Sequence, residues 1–224
     1  EHDNIRKYKS HRHQMKKIFL IFSILFLSTN LVADEIENFE IEGITIEESL
    51  LKHFSKKDIE TEINSIYSYK YEDGKYIQLG VGDNKDYSMK KKMNLFDSMS
   101  IVVKGDDKKY IIKSLSGKIL CHNNINRCNS KYDEIVADLK NYFEDSIDEV
   151  TDRKEPHNVD KKKESWVTST YFYLKNRKYA NIMAEIYDWS KRVEKEQNWG
   201  DNLKLSIQSD EFIEFLQKNP PDKL

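Results

Sequence analysis

Apolar and polar residues alternate along residues 65–71 and again along 75–81, and Glu72-Asp73-Gly74 separates the two stretches. Alternation is typical of a half-buried β-strand, because successive side chains of a strand point to opposite faces of the sheet. Asp-Gly between two alternating stretches is a strong signal for a β-hairpin. The pattern therefore predicts an antiparallel hairpin.

Further apolar segments extend this hairpin. Residues 99–103 and 110–115 are rich in β-branched side chains, and Ser116-Gly117 predicts a turn toward 119–120. We predict a meander of antiparallel strands that ends at the loop between the two cysteines.

A helix is predicted after Ser130, because apolar residues recur there at helical spacing with charges on the opposite side. These apolar residues are Ile135, Val136, Leu139, Tyr142, Phe143 and Ile147. Such an amphipathic helix should pack across the sheet.

The C-terminal part repeats the strand and helix signals. Residues 166–174 and 179–187 predict a second hairpin, 190–197 a helix and 203–207 a half-buried strand, and Ser209 caps a last helix. Strand groups and helices follow each other without strict alternation. The predicted fold class is therefore α+β, with antiparallel sheet meanders packed against helices.

Residues 151–165 are polar and charged and contain Pro156, which predicts an exposed linker. The linker divides an N-terminal α+β module (34–150) from a C-terminal ββαβα segment (166–224), which we expect to belong to the same compact unit. About 190 residues suffice for one substantial core, or for two small cores that share a sheet.

The N-terminal region has the three parts of a secretory signal peptide. Met15-Lys16-Lys17 is a short cationic start, residues 18–27 are uninterruptedly apolar, and 28–33 end in the small residue Ala33. We predict a signal peptide at 15–33, cleaved after Ala33, and interpret residues 1–14 as upstream translation that is not native. The alternative is a retained N-terminal anchor, although ten apolar residues rise only ~15 Å as a helix, about half of a bilayer core. After cleavage no stable membrane span is expected.

The charge balance changes once the signal peptide is removed. Subtracting the six basic and two acidic residues of positions 1–33 from the 37 and 39 of the full chain leaves 31 and 37, a formal charge of −6. A mildly acidic chain argues against a nucleic-acid partner. The 13 Tyr and 10 Phe make the chain too aromatic to be disordered.

Both cysteines, Cys121 and Cys128, lie close together in the mature region. In an oxidising compartment, such a pair is expected to form a local disulfide. Two alternatives stay open. The cysteines could bind a metal together with His122, although a fourth ligand is missing, or they could be free or redox-active thiols.

Motifs for catalysis, metals and cofactors are missing from the sequence. It contains no H-E-x-x-H, G-x-S-x-G or phosphate-binding loop, and Gly80-Val81-Gly82 lacks the third glycine and the helix of a nucleotide site. His53, His122 and His157 of the mature chain stand far apart in the sequence. We expect no metal, no cofactor and no recognisable catalytic residue.

One group of residues could form a binding surface: Tyr187, Asp188, Trp189, Trp199 and Asp201. Aromatic rings beside carboxylates can stack on a sugar face and bond its hydroxyls, or hold a peptide. The competing interpretation is that both tryptophans fill the core while Asp188 or Asp201 caps a turn.

Three segments carry a resemblance to a known family: residues 39–51 (FEIEGITIEESLL), 116–121 (SGKILC) with the second Cys128, and 187–190 (YDWS) with 199–203 (WGDNL). They resemble a family of uncharacterised small secreted proteins from AT-rich marine bacteria, over residues 34 to 217. The resemblance implies export and one shared fold, and implies no chemistry.

The sequence thus predicts a periplasmic or secreted protein. The leading hypothesis is a non-catalytic binding or accessory protein of the envelope, whose partner would be an envelope component, a peptide or a glycan. The alternative is a secreted hydrolase whose site is assembled from dispersed residues.

Overall fold

The computed structural model of the chain describes residues 35–122 and 124–220. Within these residues the chain forms an antiparallel sheet of nine strands packed against five α-helices, so the predicted α+β class is confirmed. The predicted signal peptide at 15–33 and residues 1–14 lie outside the described residues.

The strands are β1 Tyr69–Tyr71, β2 Tyr76–Gly82, β3 Met89–Lys90, β4 Ser98–Lys104, β5 Ile112–Leu120, β6 Ile147–Pro156, β7 Trp166–Leu174, β8 Ala180–Asp188 and β9 Asn202–Gln208. The helices are α1 Glu35–Asn38, α2 Lys56–Ile63, α3 Ile125–Tyr142, α4 Lys191–Gln197 and α5 Asp210–Lys218.

The order of the strands across the sheet is β1-β2-β4-β5-β9-β8-β7-β6, and the short β3 pairs in parallel with β2. Each half of the chain forms a meander that runs from one edge of the sheet to its centre, and each meander follows a helix, α2 or α3. The two meanders meet where β5 pairs with β9, so both predicted modules share one sheet. Both halves thus contain a helix followed by a four-stranded meander, with the short β3 added in the first half and α4 and α5 added in the second.

One face of the sheet carries the main core. Apolar side chains alternate along the strands, such as Leu79 and Val81 in β2 or Leu203, Leu205 and Ile207 in β9, and all are buried on this face. Helix α3 lies over β8 and β9 and buries Ile135 and Leu139 among them. The helical and strand periodicities thus bring two apolar surfaces together.

The opposite face is covered in part, by the Tyr87 ring over Gly80 and Gly82 and by α5 at one corner. There Tyr76 of β2 and Val102 of β4 pack against Phe212 and Phe215 of α5. Ser209 accepts a hydrogen bond from the Phe212 amide at 3.3 Å, which confirms the predicted cap of this helix.

The N-terminal segment is fixed to the domain at two points. Ile36 is fully buried, and the Phe39 ring contacts the rings of Tyr142 and Phe143 at the end of α3. The Glu42 carboxylate then accepts hydrogen bonds from the amides of residues 94–96 at 2.6–3.2 Å. Although partial burial opposes ionisation, these bonds keep the pKa of Glu42 below its usual value.

The disulfide between Cys121 and Cys128 is confirmed, with an S–S distance of 2.02 Å. Cys121 directly follows β5 and Cys128 lies in the first turns of α3, so the bond ties a central strand to the helix above it. Both cysteines are fully buried. The predicted helix is present, but it begins at Ile125, ahead of Ser130, and ends at Tyr142, so Ile147 belongs to β6 and not to the helix.

Two further sequence interpretations are corrected. The predicted turn at Ser116-Gly117 is wrong, because β5 continues through both residues and the Phe96 ring packs directly over Gly117. The exposed linker predicted at 151–165 is shorter, because residues 151–156 belong to β6. β6 is an edge strand, so its side chains are largely exposed and its sequence lacks the alternation of a half-buried strand.

Candidate functional site

The structure brings most of the predicted aromatic residues together at one end of β8. The rings of Tyr187 and Trp189 are stacked with centroids 5.7 Å apart, and the Trp199 ring lies 4.8 Å from that of Trp189. His157 joins them, 4.5 Å from the Trp189 ring. This histidine was not among the predicted site residues, because 30 residues of chain separate it from Tyr187.

Much of this aromatic cluster is internal packing. Trp189 is 8% exposed, whereas Trp199 is half-buried. Asp201 is buried and accepts a hydrogen bond from the Trp189 amide at 2.7 Å, so it orders the turn. Asp188 is exposed, pairs with Trp166 across the strands, and alternates with Tyr187 onto the other face. The predicted carboxylates therefore do not converge on the rings.

A loop ordered by one buried carboxylate closes this end of the sheet. Asp160 accepts hydrogen bonds from the amides of Lys162, Glu164 and Ser165 at 2.9–3.1 Å and forms an ion pair with Arg192 of α4. Burial opposes the ionised form, but the bonds from Ser165, Lys162 and Arg192 prevail and hold the pKa of Asp160 well below its usual range.

The more extensive polar surface lies on the strands that α5 leaves uncovered. We call it the open face: the side of β5, β9, β8 and β7 opposite the main core. Eight side chains form its middle: Ser116 and Lys118 of β5, Lys204 and Ser206 of β9, Met183 and Glu185 of β8, and Ser169 and Tyr171 of β7. Both lysines, Met183, Glu185 and Tyr171 are partly exposed.

Neighbouring side chains on the open face form short polar contacts across the strands. The hydroxyl oxygens of Ser116 and Ser206 lie 3.0 Å apart and are buried, so they form the floor of this face. Glu185 accepts a hydrogen bond from the Tyr187 hydroxyl at 3.1 Å, and the Lys204 ammonium lies 3.8 Å from the same carboxylate. Burial, and secondarily Glu185, raises the pKa of Tyr187 well above its usual value.

The open face could not be predicted from the sequence. Ser116 and Ser206 are 90 residues apart in the chain, and the pairing of β5 with β9 brings them together. Only the polar positions in each alternating strand could have indicated that one side of the sheet lacks an apolar covering.

A concave region with a volume of about 590 Å³ lies at the end of the sheet opposite the aromatic cluster. Glu47, Lys104, Asp106, Asp107, Ile111 and Lys113 line it. Its principal charges neutralise one another, since Lys113 pairs with Glu47 at 2.7 Å and with Glu211 at 3.3 Å, and Lys104 also pairs with Glu211. The region is therefore a network of ion pairs.

The histidines serve separate local contacts. His53 bonds Glu48 at 2.8 Å, and His122 is exposed beside the disulfide. In the part of the chain that the structure describes, no group of three or more His, Cys, Asp or Glu side chains is placed to hold a metal ion. Among residues 35–122 and 124–220, no helix combines the length and the hydropathy that a membrane span requires.

Comparison of the chain with protein-family models, with curated proteins and with solved structures found no match.

Proposed function

We propose that the protein is exported to the bacterial envelope and acts there as a non-catalytic binding protein whose ligand occupies the open face. One observation carries this proposal. One face of the sheet carries the main apolar core, whereas the central strands carry partly exposed polar side chains on their other face, between the corner that α5 covers and the aromatic cluster around Tyr187. A polar surface on rigid central strands is suited to holding a ligand in a fixed position.

Export is supported by the disulfide and by the signal-peptide pattern of the sequence. The two cysteines of the chain bond to each other and are buried, which is typical of a structural disulfide. Structural disulfides form and persist in oxidising compartments such as the periplasm.

A non-catalytic role is supported by the polar side chains of the open face, which form hydrogen bonds and ion pairs with one another. The hydroxyls of Ser116 and Ser206 face each other, and Glu185 is held by Tyr187 and Lys204. A hydrolytic site needs a nucleophile beside a base, in a pocket that excludes water. The open face is a surface of paired side chains, so it favours binding over reaction.

Export is tested by the mass of the protein from cell fractions, measured after alkylation with and without reductant. We expect a periplasmic chain that begins at Asp34 and whose two thiols react only after reduction. A chain that retains Met15, or whose thiols react without reductant, would contradict this part of the proposal.

Binding by the open face is tested with a panel of neutral and acidic oligosaccharides and peptides. Met183→Trp places a large ring over the face and should abolish binding of whichever ligand the wild type holds. Leu95→Trp, on an exposed position of the loop before β4, is the matched control and should bind normally. Equal binding by both variants would place the ligand elsewhere.

A further inference from the structure

Two lysines of the open face lie directly opposite each other on β5 and β9, the two central strands of the sheet. Lys118 of β5 pairs with Lys204 of β9, and like charges at paired positions of neighbouring strands repel each other. Partial burial, and secondarily the charge of Lys204, lowers the pKa of Lys118. The fold therefore holds two cations together at some cost in stability.

Only one of these lysines has an acidic neighbour. Lys204 lies 3.8 Å from Glu185, whereas over residues 35–122 and 124–220 no carboxylate oxygen lies within 4.0 Å of the Lys118 ammonium. The two lysine ammonium groups therefore have one neighbouring carboxylate between them, that of Glu185. An anionic group bound between the lysines would supply the missing charge and relieve their repulsion.

Hydroxyl groups surround the lysine pair. Ser98 of β4 lies beside Lys118, and Ser100 of β4 lies beside Ser116 in the adjacent row of paired residues. Beyond Glu185, Tyr171 and Ser169 of β7 add two further hydroxyl groups on the same side of the sheet. These groups both donate and accept hydrogen bonds, as the hydroxyls of a sugar do.

The same surface offers little to a peptide. Among the eight side chains at the middle of the open face only Met183 is aliphatic, and Leu120 and Val167 lie at the end of the same side, so this surface offers few of the apolar anchors on which peptide recognition depends. The backbone groups of these central strands are already paired on both sides, which prevents strand addition. A ligand rich in hydroxyls and carrying a carboxylate matches the surface better.

We propose, building on the proposed function, that the open face binds an acidic oligosaccharide whose carboxylate lies between Lys118 and Lys204. The partly exposed hydroxyls of Ser98, Ser100 and Tyr171 bond the sugar hydroxyls, and Glu185 keeps Lys204 oriented. Since the carboxylate is held by two ammonium groups, binding weakens as the salt concentration rises.

The experiment is calorimetric titration of the disulfide-bonded protein with tetragalacturonate, a uronic acid tetramer, with cellotetraose as the neutral ligand and tetraglutamate as the acidic peptide. We expect tetragalacturonate alone to bind. Lys118→Gln should weaken it by roughly tenfold or more, because a charge-assisted hydrogen bond is lost. Lys118→Arg should retain most of the affinity, and Lys195→Gln, on the exposed side of α4, should leave it unchanged.

Each contrary result overturns a defined part of the inference. Failure of tetragalacturonate to bind, or equal binding by Lys118→Gln, refutes the acidic sugar at this site. Equal binding of tetraglutamate refutes the preference for a saccharide. If another ligand of the wider panel binds and Met183→Trp abolishes it, the proposed function stands and only the ligand class is wrong. Lys204→Gln provides a second test should Lys118→Gln fold poorly.

Discussion

A single carboxylate, that of Asp160, determines the conformation of the loop beside the aromatic cluster. Three backbone amides of this loop need hydrogen-bond acceptors that the short turn does not provide. The Asp160 carboxylate accepts their hydrogen bonds and also pairs with Arg192. The side chain is almost completely buried, so water cannot substitute for it.

We predict that Asp160→Asn destabilises the protein at neutral pH, because the amide cannot satisfy these donors or the guanidinium. The folded-state pKa of Asp160 is depressed, so its stabilisation is complete above the ordinary aspartate pKa of about 4 and is lost as the pH falls toward the folded-state value. Urea unfolding should therefore show a large difference between the proteins at about pH 7 and a smaller one at about pH 3.

Asp138→Asn is the matched control, since Asp138 is exposed on α3. It should unfold like the wild type at both pH values. If Asp160→Asn did the same, the loop would not depend on this carboxylate.

At the scale of elements, the sequence predicts correctly those turns and helix ends that depend on a few consecutive residues. The hairpin around Asp73-Gly74 and the last helix capped by Ser209 are confirmed, because a turn or a cap depends on a few consecutive residues. Strand β6 was missed because an edge strand with two exposed faces has the composition of a loop. The continuity of β5 was missed because Gly117 makes room for Phe96, a contact that no local pattern contains.

The candidate site, too, could be predicted only where its residues lie close together in the sequence. Tyr187, Trp189 and Trp199 could be grouped because they lie within one short segment, and the structure brings their rings together. The pairing of Lys118 with Lys204 depends on how two distant meanders meet, so the sequence offered no reason to group these two lysines.

We predict that Gly117→Ala destabilises the protein by about 1–3 kcal/mol, because the added methyl overpacks a filled core. Its carbon would lie 2.5 Å from the Phe96 ring. Gly200→Ala is the control, since a methyl there meets nothing within 4 Å, and should change stability by less than about 0.5 kcal/mol. Urea unfolding measures both; equal effects would mean that Phe96 can move aside.

At the scale of the whole molecule, the two halves cannot unfold separately without exposing the strands at the centre of the sheet. Strand β5 of the first half pairs with β9 of the second along seven residue pairs, and the core beneath them is continuous. Separating the halves would therefore break the sheet and expose apolar surface at once.

We predict a single cooperative unfolding transition. All three tryptophans lie between residues 166 and 199, so their fluorescence follows the second half, whereas far-ultraviolet circular dichroism follows the entire sheet. The two urea curves should coincide. A circular dichroism transition without a matching fluorescence change would show that the first half unfolds independently.

The two edges of the sheet are poorly suited to pairing with a strand of a second molecule. At one end β6 has six charged residues among its ten, with acids and bases mixed, and at the other β1 and β3 are only three and two residues long. A second copy that tried to continue the sheet would meet unmatched charges at one edge and too few backbone partners at the other. Both edges of the sheet therefore disfavour end-to-end polymerisation of the protein into fibres.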